Sequence, residues 1–161
     1  MLTFQALYEM YIDDVYRFVL WLSGNRLEAE DISSETFINA WTHKATIRTE
    51  TLKAYLFTIA RNIYLERQRK GKRFIDLEDV YVDPVPSPDQ RVDAQRQLKA
   101  VVQFLQTVSE IDRTVFILRT HHELPYAEIA RMMSLSETAV KVKVHRLRKK
   151  LIANRAQKEV V

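Results

Sequence analysis

Prolines and glycines are scarce in this chain, and their placement constrains its fold more than any other feature. Three of the four prolines fall within residues 84–88, inside an acidic stretch (76–93) that holds six Asp or Glu against one Arg. Proline lacks the backbone donor that regular structure needs, and clustered acids repel one another, so this stretch is predicted to be an extended linker. The linker divides the chain into an N-terminal part of about seventy residues and a C-terminal part of similar length.

The N-terminal part has the pattern of three helices, with no competing strand signal. Apolar residues recur at steps of three and four through the first helix, which Gly24 is placed to end. Asn25 can cap a second helix that runs to about Trp41, and Glu28 follows it at the capping-box offset. A third helix is predicted to begin near Thr51.

The C-terminal part has the pattern of four further helices. The first is predicted over roughly 93–107, and the second follows Ser109, whose side chain is placed to cap it. Pro125 suits the first turn of the third helix, and Ser136 can cap the fourth. Two short helices joined by about three residues are typical of the helix-turn-helix, which lays its second helix in the DNA major groove.

The last helix is predicted to carry a basic face. Six Lys or Arg and no acid lie between residues 141 and 150, while a stripe of apolar residues from Val140 to Leu151 faces the core. Such a face would bind DNA mainly by releasing counterions from phosphates. The alternative is an ordinary helical hairpin with a solvated basic surface. The absence of any acid among these basic residues favours DNA binding over that alternative.

Three segments together resemble one bacterial family, the RNA polymerase sigma factors of the extracytoplasmic-function (ECF) type. They are YAEIARMMSLSETAVKVKVHRLRKKL (126–151), AEDISSETFINAW (29–41) and AYLFTIARNIYLERQRK (54–70). In that family the matching segments bind the promoter −35 element, the core polymerase and the −10 element, respectively. The three occur here in the family's order, with an acidic linker where the family has one.

The resemblance implies an all-α fold of two small helical domains. Residues 1–74 would form the three-helix bundle of sigma region 2, residues 75–93 a flexible acidic, Pro-rich linker, and residues 94–161 the four-helix, helix-turn-helix domain of region 4. The implied function is to bind core RNA polymerase and direct promoter-specific transcription initiation, with help in melting the DNA. The implied partners are the polymerase (the β′ clamp helices and the β flap), promoter DNA and an anti-sigma factor.

Acidic residues of the second helix form one stripe. Glu28, Asp31 and Glu35 fall within about 60° of one another when successive residues turn by about 100°. By themselves they are consistent with a solvated helix face, which the helix dipole favours near an N-terminus. The resemblance implies that the stripe docks on the β′ clamp helices, where its acids would meet basic residues. The implied core-polymerase-binding residues are Glu28, Asp31, Ser34 and Glu35, and Ser34 departs from the family's usual Gln.

The third helix mixes basic and aromatic residues. Aromatic faces stack unpaired bases and cations hold the backbone, so Tyr55, Phe57 and Tyr64 are expected to contact single-stranded DNA. In the alternative interpretation the core positions of this helix are Leu56, Ile59, Ala60 and Ile63, and Phe57 joins them. The resemblance implies that Asn62 holds a flipped −10 base, with residues 43–50 as the other wall of its pocket. The implied −10 residues are Tyr55, Arg61, Asn62, Arg67, Arg69 and Lys70.

The last helix supplies the residues implied for the −35 element: Ser136, Thr138, Lys141, Val142, Lys143, His145, Arg146 and Lys149. Ser134 stands where a turn glycine is usual, so it is expected to adopt a positive φ at some cost. Val142 stands where serine is common; it can touch a thymine methyl group but cannot donate to a phosphate.

Enzymatic function has little support in the sequence. There is no cysteine, so disulfides and thiolate metal sites are excluded, and glycine occurs only at positions 24 and 71, which excludes a glycine-rich phosphate loop. His121 and His122 lack the His-Glu-x-x-His spacing of a zinc site and are expected to be solvated side chains that point apart. No catalytic residue, cofactor or metal site is therefore expected.

A stand-alone helix-turn-helix regulator, which binds DNA without polymerase, is the remaining alternative. Its C-terminal unit would look the same, and the N-terminal half argues against it because that half resembles a polymerase-binding and melting module. The apolar run at 16–22 follows two Asp and is far shorter than a membrane span. No signal peptide and no membrane insertion are therefore expected, and a cytoplasmic location follows.

Overall fold

The computed structural model describes residues 3–43, 51–71 and 88–160, and within them it contains helices and no strand. These residues belong to two units, Met1–Asp76 and Leu77–Val161. The first contains α1 (Phe4–Ser23), α2 (Arg26–Thr42) and α3 (Leu52–Arg69). The second contains α4 (Pro88–Gln106), α5 (Glu110–Phe116), α6 (Tyr126–Met133) and α7 (Glu137–Val160). The predicted all-α fold of two small helical domains is confirmed.

Side-chain caps start all three helices of the first unit. The side chains of Thr3, Asn25 and Thr51 each accept a hydrogen bond from a backbone N–H in the first turn, and the Asn25 bond is 2.8 Å long. Gly24 ends α1 with φ of 70°, a left-handed conformation that glycine adopts without a Cβ clash. Each of the three helices packs against the other two, which makes the predicted three-helix bundle.

Aromatic residues form much of the first unit's core. Phe18 of α1 stacks on Phe57 of α3 with ring centroids 4.7 Å apart, and both side chains are fully buried. The hydroxyl of Tyr55 donates to the Ala40 carbonyl at 3.0 Å, which ties α3 to the end of α2. Burial raises the pKa of Tyr55 above the ordinary value for tyrosine.

Helix α4 begins at Pro88, five residues before the predicted start near 93. Proline suits the first turn of a helix, where the missing N–H has no intrahelical partner and the fixed φ is already helical. The last six residues of the predicted linker, 88–93, therefore lie in α4, and residues 75–87 of that linker lie outside the described residues.

The second unit is built around α7, which packs against α4, α5 and α6. A buried arginine, Arg113 of α5, donates to the carbonyls of Leu105 at 2.8 Å and Val108 at 3.1 Å, so its guanidinium satisfies groups at the end of α4. Predicted caps start two of these helices: Ser109 accepts from the N–H of Asp112, and Ser136 from that of Ala139.

Helix α5 continues as a π-helical turn at Ile117–His121, which sequence periodicity did not predict. Beyond it Glu123 adopts a positive φ of 57°, and the N–H of Leu124 donates to the Leu118 carbonyl. His122 is buried, and its ring lies edge-on to that of His121 with centroids 4.7 Å apart. The prediction of two solvated histidines that point apart is therefore wrong.

Candidate functional site

The turn between α6 and α7 sets the geometry of the helix-turn-helix. Ser134 adopts φ 55° and ψ 43°, the left-handed conformation that was expected for it. The N–H of Leu135 donates to the Ala130 carbonyl at 3.0 Å and that of Ser134 to Arg131 at 3.4 Å, which is the Schellman arrangement. The Ser136 hydroxyl then caps α7 by accepting from Ala139 at 3.0 Å. These bonds give the chain its sharp change of direction between the two helices.

Helix α7 separates its apolar and polar faces. Val140, Val144 and Leu147 are buried at the predicted stripe. Seven of the eight predicted −35 residues, all except Lys143, are exposed: Ser136, Thr138, Lys141, Val142, His145, Arg146 and Lys149. These seven side chains therefore lie at the surface, on α7 or at its start.

Lys143 differs from its predicted role. Its ammonium lies 2.8 Å from the Asp112 carboxylate of α5, and both side chains are only about a third exposed. Lys143 thus forms an interhelical ion pair that connects α7 to α5. It does not belong to the seven exposed residues named above. Lys143 and Asp112 are 31 residues apart in the sequence, so no local pattern could predict that they pair.

Tyr126 and Arg119 were missed in the sequence and lie beside the basic face of α7. The Arg119 guanidinium lies 4.1 Å from the centroid of the Tyr126 ring, and the Lys141 ammonium lies 5.6 Å from the same centroid. Lys141 also lies 3.8 Å from Glu137, one turn earlier on α7. A cation beside an aromatic face is favoured by the ring quadrupole, so this group holds Lys141 near α6.

The acidic stripe of α2 is smaller than predicted. Asp31, Ser34 and Glu35 are exposed, but Glu28 is only 9% exposed and does not belong to the accessible stripe. Two apolar side chains that were missed, Leu27 and Ile38, are 65% and 60% exposed. Residues 27, 31, 34 and 38 are separated by steps of four, three and four. This spacing, which is visible in the sequence, could have predicted that all four share one face of α2.

The aromatic residues of α3 do not face solvent. Tyr55, Phe57 and Tyr64 are all buried, with exposures of 6% or less, so the prediction that they stack on unpaired bases is wrong. They fill the helical core, which the alternative interpretation had expected for Phe57 alone. Among the predicted −10 residues, Asn62, Arg69 and Lys70 are exposed and Arg61 is partly exposed.

A groove lies between α2 and α3 and contains members of both predicted sites. Its walls include Asp31 and Glu35 from α2, and Asn62, Glu66, Arg67 and Lys70 from α3. Arg67 lies 3.3 Å from the Glu35 carboxylate and 3.9 Å from that of Asp31. His43 also lines the groove, and residues 44–50, the rest of the predicted second wall, lie outside the described residues.

Neither a metal site nor a membrane span appears in the part of the chain that the structure describes. No three of its His, Asp or Glu side chains are grouped so that they could hold a metal ion. None of its helices is both long and apolar enough to cross a membrane. The described residues form one basic face on α7, one acidic face with apolar ends on α2, and one groove of mixed charge between α2 and α3.

Comparison with known proteins places both units in characterised families. Residues 7–74 match the model of sigma-70 region 2, and residues 98–151 match that of sigma-70 region 4. The chain is 31% identical over 157 residues to the ECF RNA polymerase sigma factor SigM of Bacillus subtilis, with 94% of each chain covered.

Solved structures agree with these matches. The sigma factor RpoE, in its co-crystal structure with the anti-sigma factor NepR from Bartonella quintana, matches with a TM-score of 0.74 and 26% identity, over 95% of this chain and 96% of that one. CnrH, solved in complex with the cytosolic domain of CnrY, matches with a TM-score of 0.69 over 93% and 85%. At 22% identity CnrH shows likeness of fold only.

Proposed function

Because this chain belongs to the ECF family of RNA polymerase sigma factors, we propose that its two units divide promoter recognition between them at the residues described above. It binds core RNA polymerase and promoter DNA, directs transcription initiation, and is not itself an enzyme. In the proposed division, residues 1–74 dock on the polymerase and open the −10 element, residues 94–161 read the −35 element, and residues 75–93 connect them. Two modules on one tether raise each other's effective concentration at the promoter.

The observation that carries this proposal is the exposed basic face of α7 opposite its buried stripe. Lys141, Val142, His145 and Arg146 are exposed on α7, on the side that would face the major groove, and Lys149 lies one turn further on. Lysine and arginine there would bind phosphates and base edges, and Val142 would touch a thymine methyl group. The β flap of the polymerase is the proposed partner of this unit.

The proposed docking surface on α2 is acidic at its centre and apolar at its ends. Asp31, Ser34 and Glu35 would meet basic residues of the β′ clamp helices, while Leu27 and Ile38 would add apolar contact on either side. Glu28, being buried, would support the start of α2 and make no direct contact with the polymerase.

The proposed −10 surface includes the wall of the α2–α3 groove that α3 forms. Asn62 is exposed there, and its amide both donates and accepts, which suits it to hold an extruded base. Arg61, Arg69 and Lys70 would hold the backbone of the separated strand. Tyr55 would act from the core, by joining α3 to α2 through its bond to Ala40.

An anti-sigma factor and a cytoplasmic location complete the proposal. The Bartonella relative RpoE, which matches nearly the whole of this chain, was solved with the anti-sigma factor NepR. A protein that covers both the acidic stripe of α2 and the basic face of α7 would block polymerase docking and −35 binding. The inhibitor would therefore present surfaces complementary to these two.

Lys143→Gln is expected to destabilise the second unit and to spare DNA binding, because this lysine pairs with Asp112. An interhelical pair of this exposure contributes about 1 kcal/mol, which corresponds to a fall in Tm of about 4–8 °C for a unit of this size. Both tryptophans, Trp21 and Trp41, lie in the first unit. Circular dichroism should therefore report the shift while tryptophan fluorescence does not.

Lys149→Gln is the matched comparison for that prediction. Lys149 is exposed, and its loss should leave the Tm unchanged while lowering the salt dependence of −35 duplex binding by about 0.9 unit. If Lys143→Gln gave the same fall in salt dependence with no change in Tm, Lys143 would be a phosphate contact and the interpretation of its ion pair would be wrong.

Reconstitution with core polymerase tests the function as a whole. Transcript start mapping after overexpression would identify promoters, and the purified chain with core enzyme should then initiate at those sites in vitro. Failure to bind core and to start transcription, combined with specific binding of duplex DNA, would instead identify a stand-alone helix-turn-helix regulator.

A further inference from the structure

Arg67 connects two surfaces to which different partners are assigned. It belongs to the basic segment of α3, yet its guanidinium reaches across the groove to α2. One of its nitrogens donates to Glu35 at 3.3 Å, and another lies 3.9 Å from Asp31. Both acids belong to the proposed polymerase-docking stripe, so a cation of the −10 segment is held by the groups that would receive the polymerase.

These ion pairs are accessible enough to be exchanged. The Arg67 side chain is about a third exposed, and the two carboxylates are more exposed than that. Exposed pairs of this kind are weak, because water and salt screen them and the long side chains lose freedom. A basic surface that approaches Asp31 and Glu35 can therefore take over the carboxylates without a large cost.

We propose that Arg67 is a shared cation that occupies the docking acids in the free chain and is released to nucleic acid when polymerase docks. This inference rests on the proposed function of the α2 stripe. With the carboxylates bound by the polymerase's basic residues, Arg67 loses its partners in a groove that also contains Asn62 and Lys70. A phosphate of the opened strand then supplies the missing negative charge.

Thermodynamic linkage makes the effect reciprocal. If polymerase docking frees Arg67 for DNA, then a strand bound to Arg67 must strengthen docking by the same factor. In the free chain, conversely, Arg67 weakens both events, because it competes for the acids and is itself neutralised by them. The chain on its own is thereby biased against binding single-stranded DNA.

Core binding in the absence of DNA is the first test. Arg67→Gln should bind core polymerase about two- to fivefold more tightly, the factor expected when an exposed ion pair no longer has to be broken. Lys53→Gln is the matched control: Lys53 of α3 pairs with Asp14 of α1 at 3.7 Å, away from α2, and its side chain is also about a third exposed. It removes one positive charge and should leave the affinity unchanged.

Binding of a short oligothymidylate by the free chain is the second test, and it needs no polymerase. Asp31→Asn with Glu35→Gln should steepen the salt dependence of binding by about 0.7 unit, as expected for one additional phosphate contact to a single strand. Adding Arg67→Gln should cancel the increase. Glu9→Gln with Asp13→Asn removes two exposed acids of α1 and should not produce it.

The outcomes separate this inference from the function on which it rests. Core affinity of Arg67→Gln that is equal to or weaker than that of the unmodified chain would overturn it, and so would an unchanged salt dependence after the two acids are neutralised. The docking assignment itself would fail only if charge reversal of Asp31 and Glu35 left core binding intact.

Discussion

Reversing Asp31 and Glu35 to lysine is expected to weaken binding of core RNA polymerase by about 100-fold or more, because like charges placed across an interface cost several kcal/mol. Both side chains are exposed on α2 at the centre of the proposed docking stripe. Their new ammonium groups would face the basic residues that the carboxylates are proposed to bind. Pull-down or equilibrium binding with purified core enzyme measures the effect.

The double reversal also removes both carboxylates from Arg67, so its folding must be examined separately. Those pairs are exposed and therefore weak. The helix content by circular dichroism and the unfolding midpoint by tryptophan fluorescence should change little. Glu9→Lys with Asp13→Lys is a control with the same change in net charge at exposed positions of α1, outside the docking segment. Undiminished retention of core by Asp31→Lys with Glu35→Lys would contradict the docking assignment.

Asn62→Ala is expected to reduce discrimination at one base of the −10 element by about tenfold, equivalent to about 1.4 kcal/mol. Alanine keeps the helix but removes the donor and acceptor that would hold an extruded base in the α2–α3 groove. Open-complex formation with core polymerase, on promoters that differ at each −10 position in turn, measures the change.

Thr58→Ala is the control for that substitution, since Thr58 precedes Asn62 by one turn and its hydroxyl donates to the Ala54 carbonyl within α3. It tests whether any loss of a polar group on this helix alters base preference. The pocket assignment for Asn62 fails if Asn62→Ala preserves the preference at every −10 position.

The local features of the fold could be predicted because each depends on a few neighbouring residues. Asn25, Ser109 and Ser136 cap helices through bonds to a backbone N–H three residues later, and the spacing that predicts these bonds is visible in the sequence. The left-handed Ser134 likewise follows from the turn that two closely spaced helices need. The π-helical turn after α5 left no comparable signal, since no residue type specifies it.

The functional surfaces were only partly predictable, because helical periodicity orders residues around an axis without locating the boundary of burial. Glu28 adjoins Asp31 and Glu35 on such a wheel, yet it lies at the edge that the rest of the unit covers. Tyr55 is aromatic, as base-stacking residues are, but its ring is buried and its hydroxyl donates to the Ala40 carbonyl of α2. The lining of the groove around Asn62 also depends on where α2 lies against α3.

The sequence alone determined that this protein is helical, divided in two, and equipped with the three segments of an ECF sigma factor, because caps, periodicity and motifs are contained in short stretches of chain. Only the tertiary structure decided which charged residues are available to a partner. Lys143 pairs with Asp112 across 31 residues, and Arg67 with Glu35 across 32. Whether a charged side chain is paired within the protein depends on what another helix places within a few ångströms of it, and that distance is set by packing.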